Sequence, residues 1–395
     1  MKNLGLYLHM PFCRQKCAYC DFYSVTDEKK MSEYVSALRL QMEDYSEACE
    51  SYDVDTVFLG GGTPSVLPKK LMGDIFKSVY ENFNVTDDAE FTMEINPATV
   101  DKSMLKFYKN NGVNRLSIGM QSTVDSELSA LGRIHDYEDF LECYYDARKA
   151  KFENINIDIM YGIPGQTVET LKETISKVIE LAPEHISLYG LMVEEGTPLY
   201  SKVKNNEVTL PDEDEEYEMY CTAIDMLGEA GYVQYEISNF SLPGYECRHN
   251  LKYWNCEEYL GLGPAAHSYF GTYRFSFKKD IALYIKALES TEGGSEIIDE
   301  NYQIKPNERL TEYVMLQLRL CSGLDTEEFY RNFGKSFESL YGKYLTLYVK
   351  NGFMKFDGKR YSFTTKGMYV SNYILSTMLD FDSEITENIA KGTDK

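Results

Sequence analysis

A repeated alternation constrains this chain more than any other feature. Within residues 1 to about 200, six short apolar runs alternate with longer amphipathic segments such as Met31–Cys49 and Thr167–Leu181. The runs are Leu4–His9, Asp55–Leu59, Glu90–Ile95, Arg115–Gly119, Ile155–Met160 and His185–Gly190. Strand–helix units in succession predict a parallel sheet with right-handed crossovers. The runs read as nearly continuous apolar stretches, the pattern of strands buried on both faces. A closed barrel takes roughly eight such units, so this α/β pattern predicts a curved, partial six-unit barrel of the TIM type. Polar and glycine residues gather at the C-terminal ends of the runs, where barrel enzymes build their sites.

The end of the first run carries Cys13, Cys17 and Cys20, spaced C-x3-C-x2-C. Three thiolates in so short a loop can wrap one metal centre. A [4Fe–4S] cube normally takes one cysteine per iron, so three leave one iron open to a small molecule. Zinc is the rival, with His9 completing a Cys3His tetrahedron. Gly60-Gly61-Gly62-Thr63-Pro64 ends the second run. Its glycines predict close backbone approach to a ligand, with free amides to hold a polar group. Glu94 ends the third run, Gln121 the fourth with Arg133 on the following helix, and Asp158 lies in the fifth, before Gly162-Ile163-Pro164-Gly165-Gln166. A carboxylate at such a mouth can orient a cofactor amine through a charge-assisted hydrogen bond.

The remainder of the chain is less regular. Residues 201–306 hold a helix near Tyr217–Ala230, a strand over 232–237 and the motif His249-Asn250-Leu251-Lys252-Tyr253-Trp254, which contains the only tryptophan. Residues 307–380 read as three helices followed by a hairpin turning at Asp357-Gly358, a winged-helix-like unit. Residues 381–395 read as a flexible acidic tail. A net charge of −23 disfavours nucleic acid as a partner and argues for a structural or docking use of the last unit. Nine cysteines, three of them clustered, fit a reducing cytoplasm rather than a disulfide framework. The N-terminal stretch lacks the long apolar region and cleavage site of a secretory signal.

Together, Tyr7-x-His9-x-Pro11-Phe12-Cys13, the cysteine loop, Gly61-Gly62-Thr63-Pro64, Glu94, Gln121, Arg133 and Asp158 resemble the oxygen-independent coproporphyrinogen III oxidase family of radical SAM proteins. The resemblance covers nearly the whole chain. It implies a [4Fe–4S] cluster on Cys13, Cys17 and Cys20, with S-adenosylmethionine on the open iron. It also implies that Tyr7, Gly62, Thr63, Glu94, Gln121, Arg133 and Asp158 surround that cofactor. True oxidases of the family carry a further cysteine where this chain has Phe22, and an extension before the tyrosine. The motif with His249, Asn250, Tyr253 and Trp254 resembles the mark of the family's haem chaperone branch. That branch implies haem as cargo, held by this motif, with Cys247, Cys256 and His267 as further candidate ligands. It also implies a haem-acceptor protein, membrane-associated or not, and an electron donor such as a flavodoxin or ferredoxin.

Overall fold

The computed structural model describes residues 1–290 and 294–379, so the acidic tail lies outside the described residues. The main sheet contains β1 (Lys2–Met10), β2 (Tyr52–Gly61), β3 (Val85–Ile95), β4 (Arg115–Gln121), β5 (Ile155–Tyr161), β6 (His185–Gly190), β7 (Val233–Gln234), β8 (Asn239–Ser241), β9 (Tyr259–Leu262), β10 (His267–Phe270), β11 (Tyr273–Phe277) and β12 (Ile298–Gln303). Their spatial order is β12-β11-β10-β9-β1-β2-β3-β4-β5-β6-β8-β7. Strands β1 to β6 pair in parallel, each with the next. This is the partial (β/α)6 barrel the alternation predicts. One further strand joins it in parallel, β9 beside β1, and antiparallel strands extend both edges. Strand β9, Tyr259-Leu260-Gly261-Leu262, is only four residues long, too short to stand out in the sequence. The strand expected over 232–237 shrinks to Val233–Gln234, because Tyr235 N bonds Asn239 O (3.1 Å) in a tight turn.

Helices cover the outer face. The helix Met31–Cys49 turns Tyr34, Leu38 and Met42 inward at helical spacing. The acidic stretch at 212–216 starts a helix, with Asp212 and Glu215 forming a capping box. Residues 306–363 fold as helix Pro306–Gln317, β13 (Leu324–Asp325), helices Thr326–Phe333 and Phe337–Lys350, and the hairpin β14 (Met354–Phe356) and β15 (Arg360–Phe363). This unit buries its own core around Phe329, Phe337 and Tyr341.

The inner face of the barrel is polar. Register aligns Gly5 with Thr56 and Thr56 with Glu90, then Thr92 with Arg115 and Glu94 with Ser117, and then Ser117 with Asn156 and Asn156 with His185. The strands are therefore not uniformly apolar: most inward positions of β3 to β6 are polar or glycine, with Met160 an apolar exception, while Leu116, Ile118 and Met120 pack outward under helices. The N-terminal end of this interior is closed by the helix Arg248–Trp254. Glu90 accepts from the amides of Arg248 (2.9 Å) and His249 (3.0 Å) and from the Cys247 thiol (3.5 Å). Lys252, 3% exposed, pairs with Asp55 (2.8 Å) and Glu257 (3.1 Å).

Glu90 therefore fixes this floor helix by its first turn, where amides have no intrahelical acceptor. Glu90→Ala should strip the buried His249 amide and the part-buried Arg248 amide of their partner and cost roughly 3 kcal/mol. A urea-unfolding midpoint equal to the parent's would show that the floor is held by other contacts.

Candidate cofactor site

The three cysteines sit on a loop tied down at three places. At its base, Val25 N donates to Pro11 O (2.7 Å) and Cys13 N to Val25 O (3.0 Å). At its tip, Ala18 N donates to Leu131 O (2.9 Å), and Leu199 N to Ala18 O (2.8 Å). Alongside, Gly62 N donates to Met10 O (2.8 Å) and Thr63 N to Phe12 O (2.7 Å). A Cβ on Gly62 would lie 2.5 Å from Met10 O, so glycine is required by the approach of two chain segments. Gly61 N donates to Glu94 Oε2 (3.1 Å). The expectation of free amides on this strip is thus corrected: the amides of Gly61, Gly62 and Thr63 are all spent on the protein itself.

Above the strand ends lies a cavity of about 350 Å³, within the range of small-molecule sites. Cys13, Cys17, Cys20, Phe22, Gly61, Gly62, Thr63, Glu94, Gln121, Arg133, Asp158 and Asn250 all line it. The three cysteines are half-buried and Phe22 is 69% exposed at the rim. Cys13 Sγ lies 3.4 Å from Thr63 Oγ1, and Arg133 Nη1 lies 3.6 Å from Cys17 Sγ. Arg133 is not on the helix after β4. Gly132, at φ +72°, ends that helix in a left-handed cap, and Arg133 turns back to donate to Gly119 O (2.7 Å). Gln121 reaches the cavity through a bulge between Gly119 and itself and a φ of +73°. A Cβ on Gly119 would sit 3.0 Å from Gln121 Nε2 and 3.1 Å from Arg133 Nη2, so this glycine leaves room for both.

Two acids share the wall. Asp158 accepts from Asn156 Nδ2 (2.7 Å) and Ser117 Oγ (3.2 Å), yet burial still raises its carboxyl. Burial, with Asp158 beside it, lifts the Glu94 carboxyl from 4.5 to about 8. The wall is therefore suited to a cationic group that would draw both acids back to their charged forms.

Other expected residues lie elsewhere. Tyr7 stands behind the wall, its ring on Phe58 and its hydroxyl 3.1 Å from His9 Nδ1. His9 Nε2 faces Tyr23 O (2.9 Å), and burial lowers its pKa to about 4. With both ring nitrogens engaged, His9 does not complete a Cys3His zinc tetrahedron. His249 is 1% exposed in the floor helix. Its Nδ1 lies 2.8 Å from Thr56 Oγ1 and its Nε2 2.8 Å from Tyr253 OH, and burial holds its pKa down near 3. Tyr253 packs edge-on against Tyr259, and Trp254 is half-buried with its carbonyl bonded to Gln317 Nε2 (3.0 Å). The motif expected to present haem ligands therefore closes the barrel, and only Asn250 of its residues lines the cavity. Cys247 is fully buried, Cys256 is half-buried beside the second core and His267 is exposed on β10. Arg115, Ser117, Asn156 and Ser187 line the cavity without having been singled out in the sequence. Their alternation along β4 to β6 is the signal that marks them.

The radical SAM superfamily profile matches residues 7–178 and the HemN C-terminal domain profile residues 304–370. The Heme chaperone HemW of Lactococcus lactis is 33% identical over 380 residues, spanning 96% of this chain and 98% of the relative. This chain belongs to the HemW family of radical SAM proteins. The Heme chaperone HemW of Bacillus subtilis is 33% identical over 94% of this chain and 98% of its own length. The coproporphyrinogen III oxidase HemN of Escherichia coli, a radical SAM enzyme, superimposes with a TM-score of 0.84 at 23% identity, over 96% of this chain and 91% of that one. The HemW-family chain thus shares the radical SAM fold of that oxidase. Among the described residues, no helix is long and apolar enough to cross a membrane.

The Glu94 carboxyl has a direct consequence in the ligand-free protein. Its folded pKa of about 8 lies above its ordinary 4.5, so the folded chain keeps a proton that the unfolded chain releases. Stability should fall as pH rises from about 4.5 to about 8 and level off above that. Glu94→Gln should flatten this slope and be more stable than the parent above pH 8. Thermal melts from pH 5 to 9 test this, and parallel curves for the two proteins would refute it.

Proposed function

We propose that this HemW-family protein holds a [4Fe–4S] cluster on Cys13, Cys17 and Cys20, binds S-adenosylmethionine in the adjoining cavity, and carries haem to an acceptor protein. The observation that carries the reading is the placement of three half-buried thiols on the rim of a cavity walled by Glu94, Asp158, Gln121 and Arg133. The donor set fits the cluster: three sulfurs for four irons leave one position for the cofactor. Arg133, beside Cys17, sets a positive charge against the cluster's thiolates. Glu94 and Asp158 offer acceptors to an ammonium and negative charge to a sulfonium, and Gln121 offers an amide to polar groups between them. When bound, the cluster supplies one-electron chemistry, with a flavodoxin- or ferredoxin-type protein as the electron source. Phe22, standing where the oxidases have a cysteine, has no thiol or other titratable group. That supports cargo handling rather than decarboxylation of coproporphyrinogen III. The haem reading rests on the whole-length likeness to relatives named Heme chaperone HemW.

The test is anaerobic reconstitution followed by haem titration in the visible spectrum. The reconstituted protein should bind haem and leave coproporphyrinogen III unchanged in the presence of S-adenosylmethionine and reductant. Cys17→Ala should lose most iron and sulfide; full iron content in that variant, or decarboxylation by the parent, would sink the proposal.

The floor geometry adds a separate expectation. Because both nitrogens of His249 are engaged, His249→Ala should destabilise the fold by about 1–3 kcal/mol through the partners it leaves unpaired. It should leave the haem Soret band in place. A displaced Soret band would instead make this ring an axial ligand and require the floor helix to leave the barrel.

A further inference from the structure

One charge on the inner face has no partner among the groups described above. Arg115, the first residue of β4, is 2% exposed and lines the deep end of the cavity together with Ser117, Asn156 and Asn250. Its Nε is buried with no hydrogen-bond partner among the described residues. The acids that share its surroundings are committed elsewhere. Glu90 holds the amides of Arg248 and His249, Asp158 holds Ser117 and Asn156, and Glu94 accepts from Gly61. These acids keep the guanidinium charged at a distance, but among the described residues none forms an ion pair with it. A buried guanidinium cannot shed its proton, and leaving it unpaired is costly. The other cavity cation, Arg133, has Nη2 on Gly119 O and Nη1 near Cys17 Sγ. Arg115 lies four residues before Gly119 on the same strand, about 13 Å deeper along β4. Arg133 Nε is also buried without a partner, so the cavity has a cation beside the cysteines that is engaged through its two Nη atoms and one at its far end that forms no ion pair among the described residues.

We propose that Arg115 is a carboxylate-recognition residue, and that the deep end of the cavity takes the carboxylate of a bound ligand on its planar fork. A guanidinium matches a carboxylate through two parallel N–H bonds, which a lysine does not reproduce. Asn250 stands on the same cavity wall to supply a further amide donor. The proposal rests on the reading of this cavity as a ligand pocket. Two ligands of that reading bring carboxylates, but the methionyl end of S-adenosylmethionine belongs on the open iron at the cysteine end, so the deep end, beside Asn250, is assigned to a propionate of haem.

Binding isotherms on the reconstituted full-length protein separate them. S-adenosylmethionine is compared with 5′-methylthioadenosine, which lacks the amino-carboxylate, and haem with its dimethyl ester. In the parent, haem should bind at least tenfold tighter than its dimethyl ester. Arg115→Gln should shrink that ratio at least tenfold and leave the other pair unchanged. A loss confined to the haem pair assigns a propionate; one confined to the S-adenosylmethionine pair overturns the proposal. Unchanged ratios in a folded Arg115→Gln protein overturn the proposal while leaving the cofactor reading intact. If that variant does not fold, Arg115→Lys keeps the charge without the fork and should weaken haem binding at least threefold; no weakening overturns the proposal. A parent that binds neither S-adenosylmethionine nor haem overturns this proposal and the proposed function together.

Discussion

Parallel pairing of β1 to β6 turns a row of polar side chains toward one another in a space that apolar residues normally fill. The rest of the structure depends on holding that row together, although Arg115 Nε and Thr92 Oγ1 have no hydrogen-bond partner among the described residues. Asn156 is its centre. Its amide nitrogen donates to Asp158 Oδ1 and Ser117 Oγ (both 2.7 Å), and its oxygen accepts from Ser187 Oγ (3.1 Å) and His185 Nδ1 (2.6 Å). His185 Nε2 then accepts from Tyr235 OH (2.8 Å), which accepts from Cys247 N (3.2 Å). One connected network thus runs from the acid in the cavity wall to the start of the floor helix. In such surroundings a half-satisfied member costs more than an apolar one.

This arrangement assigns different tasks to the two ends of the barrel. At the C-terminal end the chain is spread into loops that leave thiols, a carboxylate pair and an arginine open to a cavity. At the N-terminal end a single short helix plugs the interior, with His249, Lys252 and Cys247 all buried. Residues of similar chemistry, cysteine and histidine, thus have opposite roles according to which end of the strands they meet.

Much of this was legible in the sequence. The helix Met31–Cys49 and all six parallel strands stand where periodicity and β-propensity put them, and the cysteine loop, Glu94, Gln121, Arg133 and Asp158 converge on one cavity. Three features were not read. Glu90-x-Thr92-x-Glu94 and Arg115-x-Ser117-x-Gly119 alternate with period two, but the apolar residues between them dominate the impression of a buried strand. The spent amides of Gly62 and Thr63 depend on the loop at Met10 and Phe12, some 50 residues away, and no local pattern carries that. The burial of His249 depends on Thr56 and Glu90, again distant in sequence. Local propensity finds elements; which ring nitrogens remain free is decided by long-range partners.

The hydrogen bond from Gln317 Nε2 to the Trp254 carbonyl (3.0 Å) has a consequence for how the chain divides. Trp254 ends the floor helix, whereas Gln317 ends the first helix of the C-terminal unit. A fragment stopping at residue 305 would keep every strand of the barrel yet lose the clasp on its underside. The C-terminal unit has a core of its own, yet Ile237 and Cys256 pack against that core and Tyr369 packs on Tyr217 and Tyr220, so each part leans on the other.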